Sequence, residues 1–279
     1  MKTNANRQTV IVTGGASGIG YAIAQQFVSR GANVLLASRS HRKLAGAVEA
    51  LAQPDHVAFV EGDITQPQIA DRIVNAAIDR FGRLDVLVNN AGIFYTKPFT
   101  DYTVEDLDGF LGYLRGTYVL TQSAVRAMRQ QGRGGAIVNI STILAFNGIA
   151  DLPSSAPMAA KGGITALTRN LAIELAADNI RINAVAPGVV PTPLYGELDE
   201  TQLNSLHHMQ PLGRYGTPKD IADAVLYLAS ATWVTGVILP VDGGVDAGGD
   251  GTNRRREATA EVSIGHCACE TDRGSRTGF

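Results

Sequence analysis

Short apolar runs alternate along the chain with longer stretches in which apolar residues recur at helical spacing. The apolar runs predict strands at 9–13, 33–38, 56–61, 84–89, 136–141, 181–185 and 237–241. The helical spacing predicts helices that include 19–30, 69–81, 104–130, 158–177 and 218–230. Helices of this length can form right-handed crossovers on both faces of a sheet. The pattern therefore predicts an α/β fold, a Rossmann-type, doubly wound, mostly parallel seven-stranded sheet with helices on both faces.

The alternation stops at Gly244. Beyond it the sequence is rich in Gly, Thr, Arg and Glu, contains a run of three arginines at 254–256 and has almost no aromatic residues. Such a composition cannot bury enough apolar surface to offset the entropy of ordering the chain. We therefore expect one domain over 1–244 and a polar, disordered tail over 245–279.

Composition excludes several classes of protein. A formal net charge of −2 leaves no basic surplus for a phosphate backbone, so a nucleic-acid partner is not expected. No apolar run reaches membrane-spanning length, and the polar start of the chain lacks the pattern of a signal peptide. The two cysteines, Cys267 and Cys269, lie in the tail and cannot staple the core; with His266 they offer too few ligands for a zinc site. We expect a cytoplasmic protein without a metal or a membrane anchor.

The sequence TGGASGIG at 13–20 joins the first predicted strand to the first predicted helix. In this context Gly14 permits a tight turn, Gly18 lets the backbone approach a pyrophosphate, and Gly20 lets helix and strand pack closely. The free N–H groups of the helix N-terminus bind phosphate oxygens. An ordinary glycine-rich connection would explain one or two of these glycines but not three at this spacing. The candidate dinucleotide-binding residues here are Gly14, Ser17, Gly18, Ile19 and Gly20.

The end of the second predicted strand reads Ala37-Ser38-Arg39-Ser40. An acidic residue at this place would bond the ribose hydroxyls of NAD, but Ser38 supplies no carboxylate. The guanidinium of Arg39 suits a 2′-phosphate instead, so the sequence favours NADP(H) over NAD(H). The alternative is that Arg39 is an ordinary solvated surface cation.

Several motifs in order give the chain a resemblance to the short-chain dehydrogenase/reductase family. They are the turn at 13–20, Asp63-Ile64, Asn89-Asn90-Ala91-Gly92 and the segment from Asn183 to Gly188, and they span residues 8–244. The resemblance implies that Asp63 and Ile64 contact the adenine and that Asn90, Ala91 and Gly92 border the cofactor. It also implies that the segment including Pro187 and Gly188 holds the nicotinamide carboxamide through Val190 and Thr192.

The active site departs from that family. The family moves a proton with a tyrosine and places a lysine four residues later; here Lys161 is present, but Pro157 stands at the tyrosine position and has no dissociable proton. Proline is favoured in the first turn of a helix, which Ser154 or Ser155 can cap. Lys161 can still bond the ribose of the nicotinamide.

Three other candidates for the chemistry remain. The substrate-polarising serine of the family falls near Ser141 and Thr142, most simply at Thr142, whose hydroxyl can donate the same hydrogen bond. Tyr113 aligns with the family's helix asparagine, and two interpretations stay open: its phenol replaces the lost proton donor, or it only fills space. A lid at 194–212, with His207 and His208, is expected to carry substrate specificity.

Three functions remain compatible with these residues. The first is an NADP(H)-dependent oxidoreductase acting on a carbonyl or alcohol of a small molecule. The second is a non-redox lyase, isomerase or cyclase on the same fold, and the third is a non-catalytic nucleotide-binding protein. The resemblance also implies a homo-oligomer, a dimer or tetramer, formed by the helices that begin near Val104 and Met158; we attribute close approach there to Ala159, Gly163 and Ala166.

Overall fold

The computed structural model describes residues 7–149, 152–193 and 210–247. Within these ranges seven strands form one sheet in the order β3-β2-β1-β4-β5-β6-β7, and all neighbouring pairs are parallel. The predicted sheet is confirmed. The strands are β1 (Thr9–Thr13), β2 (Asn33–Ser38), β3 (Val57–Glu61), β4 (Val86–Asn89), β5 (Gly135–Ile140), β6 (Ile180–Pro187) and β7 (Ile238–Val241).

Helices cover both faces of the sheet, which is why the central residues of a strand such as β1 are apolar on both faces. In β1, Val10 and Val12 point into one core cluster and Ile11 points into the other, and all three are fully buried. The first cluster holds residues of α1, α2 and α6, and the second holds residues of α3, α4 and α5. The helices are α1 (Gly18–Ser29), α2 (His41–Leu51), α3 (Ile69–Phe81), α4 (Val104–Gln131), α5 (Ser155–Glu174) and α6 (Pro218–Ser230).

The strand order reverses between β1 and β4, which are neighbours in the sheet although two strands separate them in sequence. From this point the chain extends the sheet first toward β3 and then toward β7. Ligands of doubly wound sheets bind in the crevice at the carboxyl ends of the strands beside such a reversal. The candidate residues that follow β1, β2, β4, β5 and β6 are therefore brought to one edge.

Two helices differ from the sequence-based expectation. The helix α2 was not among those named, although Ser40 caps it by accepting a hydrogen bond from the Lys43 N–H. Its buried positions, Leu44, Ala47 and Leu51, repeat at helical spacing. The helix α5 starts at Ser155 instead of residue 158, because a proline at the third helical position needs no N–H partner.

The described chain continues past the expected domain boundary at Gly244. Val245 lines the main pocket, and Asp246 accepts a hydrogen bond from the Asn147 side chain at 2.8 Å. Asp242 holds this segment, because its carboxylate accepts from the N–H groups of Gly244 and Asp246. Residues 245–247 thus contribute to the site; residues 248–279 lie outside the described part, and their disorder stays a prediction.

Candidate cofactor and active site

A cavity of about 510 Å³ at the carboxyl edge of the sheet collects nearly all the candidate residues. Those that line it are Gly14, Ser17, Gly18, Ile19, Arg39, Asp63, Ile64, Asn90, Ala91, Gly92, Tyr113, Ser141, Thr142, Lys161, Pro187, Gly188, Val190 and Thr192. Gly20 does not line the cavity but packs directly behind it. The structure therefore joins the glycine turn and the candidate active-site residues in one site.

The glycine turn has the geometry of a phosphate cradle. Gly14 has a φ of +64°, and a Cβ at Gly20 would lie 2.3 Å from the Gly14 carbonyl oxygen, so neither position accepts a side chain. Ser17 caps α1 in an extended conformation, but its side chain makes no capping hydrogen bond. The first-turn N–H groups thus have no side-chain cap, which fits the pyrophosphate of a nicotinamide dinucleotide.

Hydrogen bonds clamp the glycine turn to the segment that follows β4. The Thr13 hydroxyl accepts from the backbone N–H groups of Asn90 and Ala91, both at 3.0 Å, and donates to the Val88 carbonyl at 3.3 Å. The Asn90 amide in turn donates to the carbonyls of Thr13 and Gly14. This clamp fixes the two sides of the reversal point relative to each other.

The pocket end that follows β2 carries positive charge. Arg39 is exposed at the rim and forms no ion pair within the described residues. Lys43, in the first turn of α2, also lines this end and was missed from the sequence, because α2 itself was not predicted. Asp63 also lines the pocket, where its carboxylate accepts from the Thr65 N–H at 2.9 Å and so fixes the turn after β3.

Tyr113 lies on α4 and is half-buried in the same pocket. Burial raises the pKa of its phenol, and the charges that act on that pKa belong to Arg39 and Asp63. The phenol therefore lies in one pocket with Arg39 and Asp63, which are expected at the adenosine end of a dinucleotide.

Lys161 enters the pocket from α5. Its ammonium donates to the Ile140 carbonyl at 2.6 Å, at the end of β5, and lies near Gly92, where a Cβ would be 3.7 Å from the Lys161 nitrogen. Burial lowers the pKa of Lys161 to about 8. At mildly alkaline pH, the Lys161 ammonium therefore loses its proton more readily than the ammonium of an exposed lysine does.

Two hydroxyls follow β5 at the pocket wall. Thr142 is half-buried, and its hydroxyl oxygen accepts from the Leu144 N–H at 3.3 Å, which leaves the hydroxyl proton to donate elsewhere. Ser141 is more deeply buried, and its hydroxyl is bonded to the Thr165 hydroxyl at 3.0 Å. Of the two, Thr142 is better placed to hydrogen-bond a bound substrate.

Pro157 is buried in the first turn of α5 and is not among the residues that line the pocket. Ser154 occupies the N-cap position without a side-chain capping bond, so the expected cap by Ser154 is not formed. One turn further along α5, Lys161 does reach the pocket. The helix thus delivers the lysine but supplies no proton donor at position 157.

The remaining wall is apolar. It is formed by Ile93, Phe94, Ile143, Leu144, Ile149, Leu152, Val189, Pro193 and Val245. The expected lid overlaps residues 194–209, so His207 and His208 lie outside the described residues, as do His266, Cys267 and Cys269.

The described residues contain neither a cluster suited to a metal ion nor a helix suited to a membrane. No cluster of three or more His, Cys, Asp or Glu side chains there could hold a metal ion. None of the helices described in the structure combines the length and the apolar character needed to cross a membrane.

Comparison with known proteins gives consistent matches over nearly the whole described chain. A family model described as enoyl-(acyl carrier protein) reductase matches residues 14–246. A 3α-hydroxysteroid dehydrogenase of Mediterraneibacter gnavus is 38% identical over 245 residues, which cover 85% of this chain and 96% of the relative. A 3-oxoacyl-[acyl-carrier-protein] reductase of Thermotoga maritima is 37% identical, with 84% and 96% covered.

A solved structure agrees with these relatives. The 3-ketoacyl-(acyl-carrier-protein) reductase of Brucella melitensis, complexed with NADH, superimposes with a TM-score of 0.80 at 31% identity. The match covers 86% of this chain and 98% of that one. With the glycine turn, the clamp and Lys161 in one pocket, the chain belongs to the short-chain dehydrogenase/reductase family of NAD(P)-dependent oxidoreductases.

Proposed function

We propose that this chain is an NADP(H)-dependent oxidoreductase that interconverts a carbonyl and an alcohol on a small molecule, with an atypical active site lacking the family's tyrosine. The observation that carries the proposal is the single pocket in which the glycine turn, Lys161 and Thr142 meet. The names of the relatives, a hydroxysteroid dehydrogenase and 3-oxoacyl reductases, support carbonyl and alcohol chemistry.

Each candidate residue has a proposed role in binding the cofactor or the substrate. The N-terminus of α1 would hold the pyrophosphate, and Val190 and Thr192 would hold the nicotinamide carboxamide. Lys161 would bond the ribose of the nicotinamide, and Thr142 would donate a hydrogen bond to the substrate oxygen. When bound, a nicotinamide dinucleotide supplies or accepts the hydride. Ser141 supports this wall through its bond to Thr165.

The apolar wall supports a substrate with an apolar body. Nine apolar side chains line the same pocket as Thr142 and Lys161. Burying apolar substrate surface against them is favourable by roughly 25 cal/mol per Å². The proposed reaction is tested by measuring NADPH oxidation in the presence of a panel of apolar ketones, and NADP⁺ reduction with the corresponding secondary alcohols. Absence of any substrate-dependent change in NADPH would contradict the proposed function.

We further propose a preference for NADPH over NADH that depends on Arg39. Arg39 and Lys43 place two cations at the end of the pocket where a 2′-phosphate would lie, and Ser38 supplies no carboxylate to repel it. The Arg39→Ala variant is expected to lose about one to two decades of NADPH affinity with little change for NADH, since only NADPH offers the guanidinium a charged partner.

Fluorescence titration of both nucleotides measures this. Arg30→Ala, which removes an exposed arginine outside the cavity, is the matched control. Equal affinities for the two nucleotides in both the natural protein and Arg39→Ala would contradict the NADP assignment.

A homo-oligomer is also proposed. Ala159 and Ala166 are exposed on α5, as expected for residues of an interface. A Cβ at Gly163 would lie 2.7 Å from the Leu114 side chain, so Gly163 instead serves packing of α5 against α4 within the chain.

The helix α4 also exposes apolar side chains. Val104, Leu111 and Tyr118 lie at seven-residue spacing, with exposed fractions of 70%, 36% and 52%. Such an apolar stripe along one helix face favours pairing with a second copy.

The Leu111→Glu variant places a charge in the centre of this stripe. We expect it to shift the protein to a smaller species in light scattering at micromolar concentration, because the charge would have to be buried in the pairing. Lys219→Glu, on α6, is the control for an added charge elsewhere. A natural protein that is already monomeric would exclude the oligomer.

A further inference from the structure

The helix α4 is pressed against the turn that follows β3. A Cβ at Gly116 would lie 2.2 Å from the Ile64 carbonyl oxygen, and one at Gly112 would lie 3.5 Å from the Thr65 side chain. Arg115 fastens the same contact by donating to the Thr65 carbonyl at 3.1 Å. Gly116 therefore allows the helix backbone to approach this turn, whereas a Cβ at Gly112 would meet it at an ordinary contact distance.

Tyr113 follows Gly112 directly and lies on this side of the helix. Its ring packs against the core cluster that contains Ile64, and its outer part lines the cavity together with Arg39 and Asp63. The phenol is thus half-buried in the pocket next to the turn that carries Asp63, and the charges of Arg39 and Asp63 both act on it. A proton donor for the substrate would have to lie at the Thr142 and Lys161 end instead.

We propose that Tyr113 is a ligand of the adenosine half of the cofactor, with its hydroxyl donating a hydrogen bond to the 2′-phosphate beside Arg39. This inference rests on the proposed NADP(H) dependence. It assigns Tyr113 to nucleotide selection and not to proton transfer.

The chemistry of the phenol suits this role. A tyrosine phenol is neutral at physiological pH, and burial raises the pKa of Tyr113 further, so it keeps its proton to donate. A phosphate oxygen accepts such a bond strongly, since a charged acceptor shortens and strengthens it. The 2′-hydroxyl of NAD offers only a neutral acceptor, so the bond discriminates between the two nucleotides in the same direction as Arg39.

The experiment uses adenosine 2′,5′-bisphosphate and 5′-AMP, which contain no nicotinamide and therefore report only on the adenosine end. Calorimetry with the full-length protein measures both ligands against the natural chain, Tyr113→Phe and Tyr113→Ala. The matched control is Tyr227→Phe, which removes an exposed hydroxyl on α6. We expect Tyr113→Phe to lower the affinity for the bisphosphate about ten-fold and to leave the affinity for 5′-AMP nearly unchanged. This is the effect of losing one hydrogen bond to a charged group.

A second prediction concerns coupling with Arg39. If both groups bind the same phosphate, Tyr113→Phe should weaken binding of the bisphosphate less in the Arg39→Ala background than in the natural chain. The reason is that the free-energy changes of two substitutions at neighbouring sites do not add. Unchanged affinity of Tyr113→Phe for the bisphosphate would overturn the proposal. So would tighter binding by Tyr113→Ala, which would show that the ring blocks the nucleotide, or a fall in turnover at unchanged bisphosphate affinity, which would assign the phenol to proton transfer.

These outcomes are separate from failure of the proposed function. A chain that binds neither nucleotide fragment would overturn both proposals. A chain that oxidises NADPH with a ketone, but binds the bisphosphate equally well with and without the Tyr113 hydroxyl, would overturn this inference alone.

Discussion

The Pro157→Tyr variant is expected to reduce simple ketones about two to four decades faster than the natural chain. Hydride transfer to a carbonyl leaves an alkoxide, and a positioned general acid contributes about this much to the rate. Position 157 lies one helical turn before Lys161, so a phenol there can share the lysine's side of α5. Steady-state NADPH oxidation with a panel of apolar ketones measures the gain.

Pro157→Phe is the matched control, because it brings the same ring without the hydroxyl. Thermal denaturation of both variants shows whether the buried site accepts a ring, since overpacking a core position costs stability. Faster ketone reduction by Pro157→Tyr, but not by Pro157→Phe, would show that the natural chain lacks a proton donor at this position. No gain in a folded variant, together with a natural activity that consumes no NADPH, would contradict the oxidoreductase and leave the non-redox enzyme or the nucleotide-binding protein.

The Lys161→Gln variant is expected to lose about two decades or more of residual NADPH-dependent turnover. Lys161 is the cation that the structure places beside Gly92 and the end of β5, where it can bond the ribose and pass a proton through water. Glutamine keeps a hydrogen-bond donor but carries neither the charge nor a transferable proton. Lys219→Gln, on the surface of α6, controls for loss of a lysine.

The same lysine predicts the pH dependence. Burial lowers its pKa to about 8, so the ammonium predominates at pH 7 and is lost as the pH rises through about 8. In the reductive direction, kcat/KM for NADPH should therefore fall above pH 8. Lys161→Arg should keep its charge to higher pH and remove this fall, because a guanidinium does not deprotonate in this range. A profile that is flat from pH 6 to 10 in the natural protein would contradict a role for the ammonium.

The sequence predicted the parts of the molecule in which local pattern and global fold agree. Strands such as β1 are buried at every position because helices cover both faces, and their apolar central residues leave a clear signal between polar turns. The phosphate cradle was equally predictable, since Gly14 and Gly20 are required by backbone geometry within the turn itself. The family resemblance supplied the rest of the cofactor residues.

The direction of a side chain on a helix was not predictable in the same way. Tyr113 could face the reacting end or the adenosine end of one pocket, and only the packing of α4 on the turn after β3 places it near Asp63. Gly163 was expected at an oligomer interface, but it receives the Leu114 side chain of the same chain. Lys43 was missed because its helix was not predicted, although the buried residues of that helix repeat at helical spacing.

The clamp between Thr13 and Asn90 determines when the phosphate cradle becomes ordered. Its hydrogen bonds join two segments 77 residues apart within the protein itself, so the conformational entropy of the turn is lost during folding and not when a nucleotide arrives. Under the proposed function, the affinity of this turn for a pyrophosphate is therefore set in advance, as in preorganised sites. Changes at the adenosine end can then alter which nucleotide is chosen without rebuilding the cradle that both nucleotides share.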